Sequence, residues 1–281
     1  VLRGEQLEHC GGSGRLTLLE VGSGEPSEYR RGHVPGAVYL DAAEIETGPL
    51  WNRVSDRDLK AVILAHGVTR DDLVVLYGRD TTLATRAAAI FMYAGVDDVR
   101  LLDGGIRAWI AAGYALETGV RQVVAVGRFG CEIPAYPQYI IDLAEARAVL
   151  AAGDALLVDV RSWAEYLGKT SGYSYIAPKG RIAGAVWGNA GSDAYHMGHY
   201  RNIDNTMRNY HEIEANWREV GITRDKRVAF YCGTGWRASE AFFCAYLMGW
   251  EHIAVYDGGW LEWSRDRSNP IERGLPFPQC S

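Results

Sequence analysis

Short apolar runs alternate with longer stretches of helical period along the whole chain. Leu16–Val21, Leu73–Tyr77 and Val99–Leu102 read as buried strands, with helical patterns near Leu59–Ala65 and Ala84–Ala94 between them. The same order returns as Ala155–Val160, a helix near Glu212–Glu219, Val228–Tyr231, a helix from about Ala238 to Met248, and Ile253–Tyr256. Such alternation predicts an α/β fold, a parallel sheet with helices on both faces, because parallel neighbours need a crossover long enough to hold a helix. In sheets of this kind, ligands bind beyond the carboxyl ends of the strands.

The alternation is an internal repeat. Gly67-Val68-Thr69-Arg70-Asp71 recurs as Gly221-Ile222-Thr223-Arg224-Asp225, and Leu102-Asp103-Gly104-Gly105 as Tyr256-Asp257-Gly258-Gly259, both 154 residues later. Upstream, His33-Val34-Pro35-Gly36-Ala37-Val38 matches Arg181-Ile182-Ala183-Gly184-Ala185-Val186 at a distance of 148, and Leu18-Leu19-Glu20-Val21 matches Leu157-Val158-Asp159-Val160 at 139. The growing distance places insertions in the second copy. A length of 281 residues suits two domains of about 140. The expected division is a domain at 1–118, a linker at 119–137 and a domain at 138–281. The linker carries Gly119, Gly127, Gly130, Pro134 and Pro137 without sustained periodicity, and Asp142-Leu143-Ala144-Glu145-Ala146-Arg147 opens the first helix of the second copy.

In the second copy an apolar strand delivers one cysteine into Cys232-Gly233-Thr234-Gly235-Trp236-Arg237, and Ala238-Ser239-Glu240-Ala241 then begins a helical pattern. A strand, a glycine-spaced loop and a helix start form an anion cradle. The glycines let successive N–H groups turn inward, and the helix adds its positive N-terminal end. Helix N-termini and nearby cations also favour the thiolate form of a cysteine, which is its nucleophilic form. Cys232 is therefore the expected nucleophile, and Arg237 supplies a positive charge suited to a sulfonate, carboxylate or phosphate. The first copy has Gly78 at the matching position, followed by Arg79 and Asp80. With no thiol and a carboxylate in its loop, that domain is expected to have kept the scaffold and lost the chemistry.

Charge narrows the partners. A net charge of −6 and a pI of about 5.7 argue against nucleic acid or an anionic membrane, and 48% hydrophobic residues suffice for two cores. No apolar run approaches the roughly 18 residues of a membrane span, and no signal peptide is visible. The chain starts at Val1, which reads as a processed or truncated product. Five cysteines, at 10, 131, 232, 244 and 280, have neither close pairing nor metal-type spacing. Cys244 reads as core, and Cys10, Cys131 and Cys280 as incidental surface thiols. In the long stretch 188–210, His196 and His199 lack further ligands of recognisable spacing, so no metal is expected and the stretch reads as a pocket-covering loop.

Several of these segments together carry a family resemblance: Asp159-Val160-Arg161, Gly180-Arg181-Ile182-Ala183-Gly184-Ala185-Val186, Tyr231-Cys232-Gly233-Thr234-Gly235-Trp236-Arg237-Ala238-Ser239 and Asp257-Gly258-Gly259-Trp260. They resemble the landmarks of rhodanese domains, the sulfurtransferases, over nearly the whole chain. The pattern is most similar to bacterial multi-domain thiosulfate sulfurtransferases whose last domain carries Cys-Gly-Thr-Gly-Trp-Arg and a long insertion, here Gly172-Tyr173-Ser174-Tyr175-Ile176. It departs at Arg181, where the family commonly has histidine, and at Glu20-Val21-Gly22, where the family has Asp-Val-Arg. The resemblance implies two rhodanese-like domains, the first inactive and the second moving a sulfane sulfur from thiosulfate or a similar donor to cyanide or a thiol through a Cys232 persulfide. It implies no metal and no organic cofactor. Gly233, Thr234, Gly235, Trp236 and Ala238 would form the substrate-binding loop. Arg161 and Arg181 are further candidates for the donor's anionic end, with structural pairing to Asp159 or Glu165 as the alternative. A thiol protein is a possible acceptor, and a bacterial periplasmic location is compatible, with cytoplasm the alternative.

Two neighbouring chemistries frame this expectation. Cysteine phosphatases place five residues between cysteine and arginine; the four here, Gly233 to Trp236, make a tighter ring suited to a single sulfur. A 3-mercaptopyruvate sulfurtransferase, whose loop resembles Cys-Gly-Ser-Gly, stays open, as does a persulfide carrier or protein-interaction module with little small-molecule turnover.

Overall fold

The structure, a computed structural model, describes residues 1–8 and 15–276; Cys10 and Cys280 lie outside the described residues. The chain divides into two units, one comprising Val1–Ile140 with Arg201–Met207, the other Ile141–Tyr200 with the residues from Arg208 onward.

In the first unit, β1 (Leu16–Gly22), α1 (Ser27–Arg31), β2 (Val38–Asp41), α2 (Asp56–Ala65), β3 (Leu73–Gly78), α3 (Thr81–Ala94), β4 (Asp98–Leu101) and α4 (Gly105–Ala111) follow in order. The strands form one parallel sheet in the order β2-β1-β3-β4. The register sets Glu20 beside Tyr77 and Val21 beside Gly78, so the carboxyl ends of β1 and β3 open together. Helix α3 is buried from Thr82 through Ala94, as expected of a helix apolar on all sides. It begins three residues ahead of the expected Ala84, because the Asp80 carboxylate accepts from Thr82 N at 2.8 Å and caps it there. Residues 119–137, expected as linker, run back along this unit. Leu64 O accepts from Val126 N (3.0 Å), Phe129 O accepts from Arg70 N (2.8 Å), and Ala94 O accepts from Ala135 N (3.3 Å).

The second unit contains β5 (Ile140–Ile141), α5 (Leu143–Ala151), β6 (Ala155–Asp159), α6 (Trp163–Tyr166), β7 (Arg181–Ile182), β8 (Val186–Trp187), α7 (Tyr210–Glu219), β9 (Arg227–Tyr231), α8 (Trp236–Leu247), β10 (Ile253–Tyr256) and α9 (Gly259–Trp263). Its main sheet runs β8-β6-β9-β10-β5. The β8–β6, β6–β9 and β9–β10 pairs are parallel, with Tyr231 beside Asp159. Helix α8 starts at Trp236, two residues ahead of the expected Ala238, and is buried from Arg237 through Ala245. Cys244 lies in that core.

The repeat extends to hydrogen bonds that no local pattern announces. Tyr77 OH accepts from Val34 N (3.0 Å) as Tyr231 OH accepts from Ile182 N (3.2 Å). Tyr29 OH donates to Ala37 O as Tyr166 OH donates to Ala185 O, both at 2.8 Å. A Cβ on Gly105 would lie 2.5 Å from Gly78 O, and one on Gly259 2.7 Å from Cys232 O, so each Asp-Gly-Gly turn presses its glycine against the loop that matters.

Candidate active site

Strand β9 ends at Tyr231 and leaves Cys232 at the carboxyl end of the sheet, 1% exposed. The chain turns through Gly233 and Thr234 to Gly235, which is left-handed (φ 96°) and caps α8 with no side-chain acceptor. Gly235 N donates to Cys232 Sγ at 3.2 Å, so the loop curls around its own sulfur. Cys232 O and Gly233 O accept from Trp260 N (2.8 Å) and Leu261 N (3.0 Å) of α9, which pins the loop to the Asp-Gly-Gly turn. Of the expected loop residues, Thr234 and Ala238 are buried and Trp236 is half-buried.

The three expected arginines are all buried, and each is engaged. Arg237 Nη2 and Nη1 donate to Glu165 Oε1 (2.8 Å) and Oε2 (3.0 Å), and Nη1 also reaches Asp193 O (3.2 Å). Only its Nε–H lacks a partner. Arg161 forks onto Asp159 (Nε–Oδ1 2.9 Å, Nη2–Oδ2 2.6 Å), donates to Gly180 O and lies over the Trp260 ring at 5.0 Å. Arg181 donates to Glu272 Oε2 (2.9 Å) and Gly274 O (2.7 Å) and lies over Tyr166 at 4.4 Å. Arg237 thus lies in the first turn of the helix after the cysteine, whereas Arg161 is taken up by the strand-end carboxylate of Asp159 and Arg181 by Glu272 and Gly274.

Glu165 does two things at once. Its Oε2 also accepts from Ser162 N (3.0 Å) and Ser162 Oγ (2.8 Å), closing a capping box on α6. Burial alone pushes the Glu165 carboxyl up, but the Arg237 charge and its hydrogen bonds outweigh that and hold the group below the usual carboxylate range.

The insertion supplies a tyrosine wall that sequence reasoning did not assign to the site. A Cβ on Gly233 would lie 2.5 Å from the Tyr173 ring, so the tyrosine packs directly on the loop, with Arg237 5.4 Å from its centroid. Tyr173 stacks on Tyr175 (5.2 Å) and meets Tyr195 edge-on (5.6 Å, 89°), and its hydroxyl donates to Ala194 O. Burial pushes the Tyr175 phenol up to about 12, against a hydrogen bond with the Thr234 side chain. The signal for this wall was the aromatic spacing of Gly172-Tyr173-Ser174-Tyr175 within an insertion. His196 pairs with Asp193 at 2.7 Å. Among the described residues, no group of three or more His, Cys, Asp or Glu is arranged to hold a metal ion.

A buried cysteine at a strand end, in a loop curled on its own sulfur and repeated as an empty framework in a second copy, is the arrangement of rhodanese domains. The rhodanese-like domain pattern matches residues 6–112 and 142–266, and the chain belongs to this family. It is 51% identical over 270 residues to thiosulfate sulfurtransferase YnjE of Escherichia coli (strain K12), covering 96% of this chain and 62% of that protein. It is 32% identical to the sulfur carrier protein TtuD of Thermus thermophilus, covering 88% and 87%. The crystal structure of YnjE superposes with a TM-score of 0.92 over 94% of this chain and 64% of that one. A variant of EanB in complex with ergothioneine superposes with a TM-score of 0.95 at 42% identity, covering 98% and 70%.

Proposed function

We propose that the second unit is a sulfurtransferase working through a Cys232 persulfide. The observation that carries this reading is the Gly235 N–Sγ contact of 3.2 Å in a loop whose helix has no side-chain cap. That loop offers backbone N–H groups to a soft anion at the cysteine. In the first half-reaction the Cys232 thiolate attacks the outer sulfur of thiosulfate. A sulfur–sulfur bond forms at Cys232, the bond to the sulfonate sulfur breaks, and sulfite leaves with the electron pair. In the second, cyanide or a thiolate attacks the outer sulfur, and Cys232 leaves as thiolate. Electrons balance without cofactor. Arg237 contributes its remaining Nε–H beside a charge already balanced by Glu165, and no donor contact is assigned to Arg161 or Arg181.

Support comes from the thiosulfate sulfurtransferase YnjE and from an EanB variant described with a cysteine persulfide and ergothioneine. A persulfide carrier that hands its sulfur to a larger thiophile is the second reading. It is favoured by the Arg237–Glu165 pair, which leaves no unbalanced guanidinium for a small dianion, and by the likeness to TtuD. Intact-mass analysis after thiosulfate, with 3-mercaptopyruvate in parallel, tests both: one sulfur adds about 32 Da at the reactive thiol. Rapid unloading by cyanide supports the enzyme, whereas loading followed by unloading only to a protein thiol supports the carrier. A protein that never loads from either donor removes both.

A further inference from the structure

The second unit buries three guanidiniums, and each has its own carboxylate: Asp159 meets Arg161, Glu272 meets Arg181 and Glu165 meets Arg237. The last pair adjoins the sulfur loop. Tyr173 joins the two, since its ring packs on Gly233 and lies 5.4 Å from the Arg237 guanidinium, while a Cβ on the preceding Gly172 would run into Glu165 Oε1. Burial works against a charged Arg237, and Tyr173, Glu165 and Cys232 outweigh it. Guanidinium, carboxylate and sulfur thus share one electrostatic neighbourhood.

The Arg237 and Glu165 side chains are 3% and 0% exposed and meet through both carboxylate oxygens, at 2.8 and 3.0 Å. Opposite unit charges this close cancel at the range of a bound donor, so the thiolate's own charge is left as the net charge of the site. The remaining Arg237 Nε–H offers a hydrogen bond but no unbalanced charge. A donor reaching Cys232 is then repelled in proportion to its own charge. Thiosulfate is a dianion. Methanethiosulfonate, in which a methyl group replaces a sulfonate oxygen, is a monoanion and offers the same outer sulfur. The Cys232 thiolate attacks that sulfur, a sulfur–sulfur bond forms, the bond to the sulfonyl sulfur breaks, and methanesulfinate leaves with the electron pair.

We propose that Glu165 is a specificity-determining residue: by cancelling the Arg237 charge beside Cys232, it turns the site toward sulfane donors that are monoanionic or neutral and away from dianions. The assignment presupposes the Cys232 persulfide and names the class of its donor. The test is the ratio of loading rates at limiting donor, thiosulfate over methanethiosulfonate, read by intact mass on the whole chain. Such a ratio does not depend on how much of a preparation is folded, so a merely structural role of Glu165 leaves it where it is. Glu165→Gln should raise the ratio by on the order of tenfold, because a dianion gains twice what a monoanion gains when a nearby carboxylate is removed. Glu165→Asp keeps the charge and should keep the parent ratio. Where Glu165→Gln fails to fold, the double variant Glu165→Gln, Arg237→Met decides, since neutral side chains replacing both halves of a buried ion pair are often tolerated. Both charges are then gone, and the ratio should match the parent. The proposal is overturned if Glu165→Gln leaves the ratio unchanged or lowers it, or if the double variant loses thiosulfate loading alone, which would show Arg237 anchoring the dianion. A parent chain that loads from neither donor overturns the persulfide reading and this proposal with it, whereas loading with an unmoved ratio overturns this proposal only.

Discussion

The loops at 78–83 and 232–237 sit in matching frameworks, held by the same tyrosine and glycine contacts, yet they present opposite chemistry at the helix start. In the first, Asp80 caps α3 with its own carboxylate, accepting from Thr82 N and Thr82 Oγ1 (2.7 Å), so the positive end of the helix is already satisfied. In the second, Gly235 caps α8 without a side chain, so no carboxylate occupies the helix start. The ion pairs moved as well. Asp159 is met by Arg161 from its own strand; its counterpart Glu20 has Gly22 at that place and is met instead by Arg79 from the loop. The lesson is that the side chains at the strand end and loop can change while the strands, turns and core that hold them stay put.

The largest effect that can break this comparison is at the sulfur. Cys232→Ser should abolish both the adduct and transfer, and unchanged turnover in that variant would end the sulfurtransferase reading. Adding Gly78→Cys to it should restore nothing. A Cβ at 78 would lie 2.7 Å from Asp80 O and 2.8 Å from Val21 O, both backbone atoms that cannot step aside. Robust thiosulfate turnover by the double variant would show that the two loops differ by one residue only.

Next comes the pair at 165 and 237. Arg237→Ala strands a carboxylate that is 0% exposed, and breaking a buried pair this way costs about 3–5 kcal/mol. Thermal and urea unfolding should show the second unit weakened and the first unaffected. Adding Glu165→Gln should recover part of the loss, and a double-mutant cycle measures the coupling. An Arg237→Ala protein as stable as its parent would mean that the pair contributes nothing to the fold.

A smaller change is expected from Asp80→Ala, which removes the side-chain cap of α3 and should cost the first unit about 0.5–2 kcal/mol. Equal stability to denaturant would indicate that this helix start needs no cap, and the contrast with Gly235 would lose its meaning.

The mildest test is a difference in slope. Glu165 is held below its usual range, so its contribution is complete above the unfolded carboxylate value of about 4.3 and is lost as pH falls through the folded value. Glu20 is raised, chiefly by burial, so its contribution is complete below the unfolded value and is lost as pH rises through the folded one. The two carboxylates should therefore tilt the stability of their units in opposite directions with pH. Unfolding followed across acid pH in Glu165→Gln and Glu20→Gln should flatten one slope each; parallel slopes in both would contradict the assignment.

Much of this molecule was legible in the chain itself. The duplicated order of strands and helices, the return of Gly-Ile-Thr-Arg-Asp and Asp-Gly-Gly, the thiol at 232 and its absence at 78 all rest on short-range signals: hydrophobic period, turn residues and self-similarity. What faces what was decided only by packing. Glu165 and Arg237 are 72 residues apart, and Tyr173 reaches Gly233 from an insertion whose length marks it as a loop but not where it lands. Whether a guanidinium binds substrate or a neighbouring carboxylate depends on which elements the sheet brings together, since an ion pair needs contact in space and leaves no periodic trace in sequence. The same holds for Glu20, a strand residue in sequence, which is buried and met by Arg79 only because β3 lies beside β1.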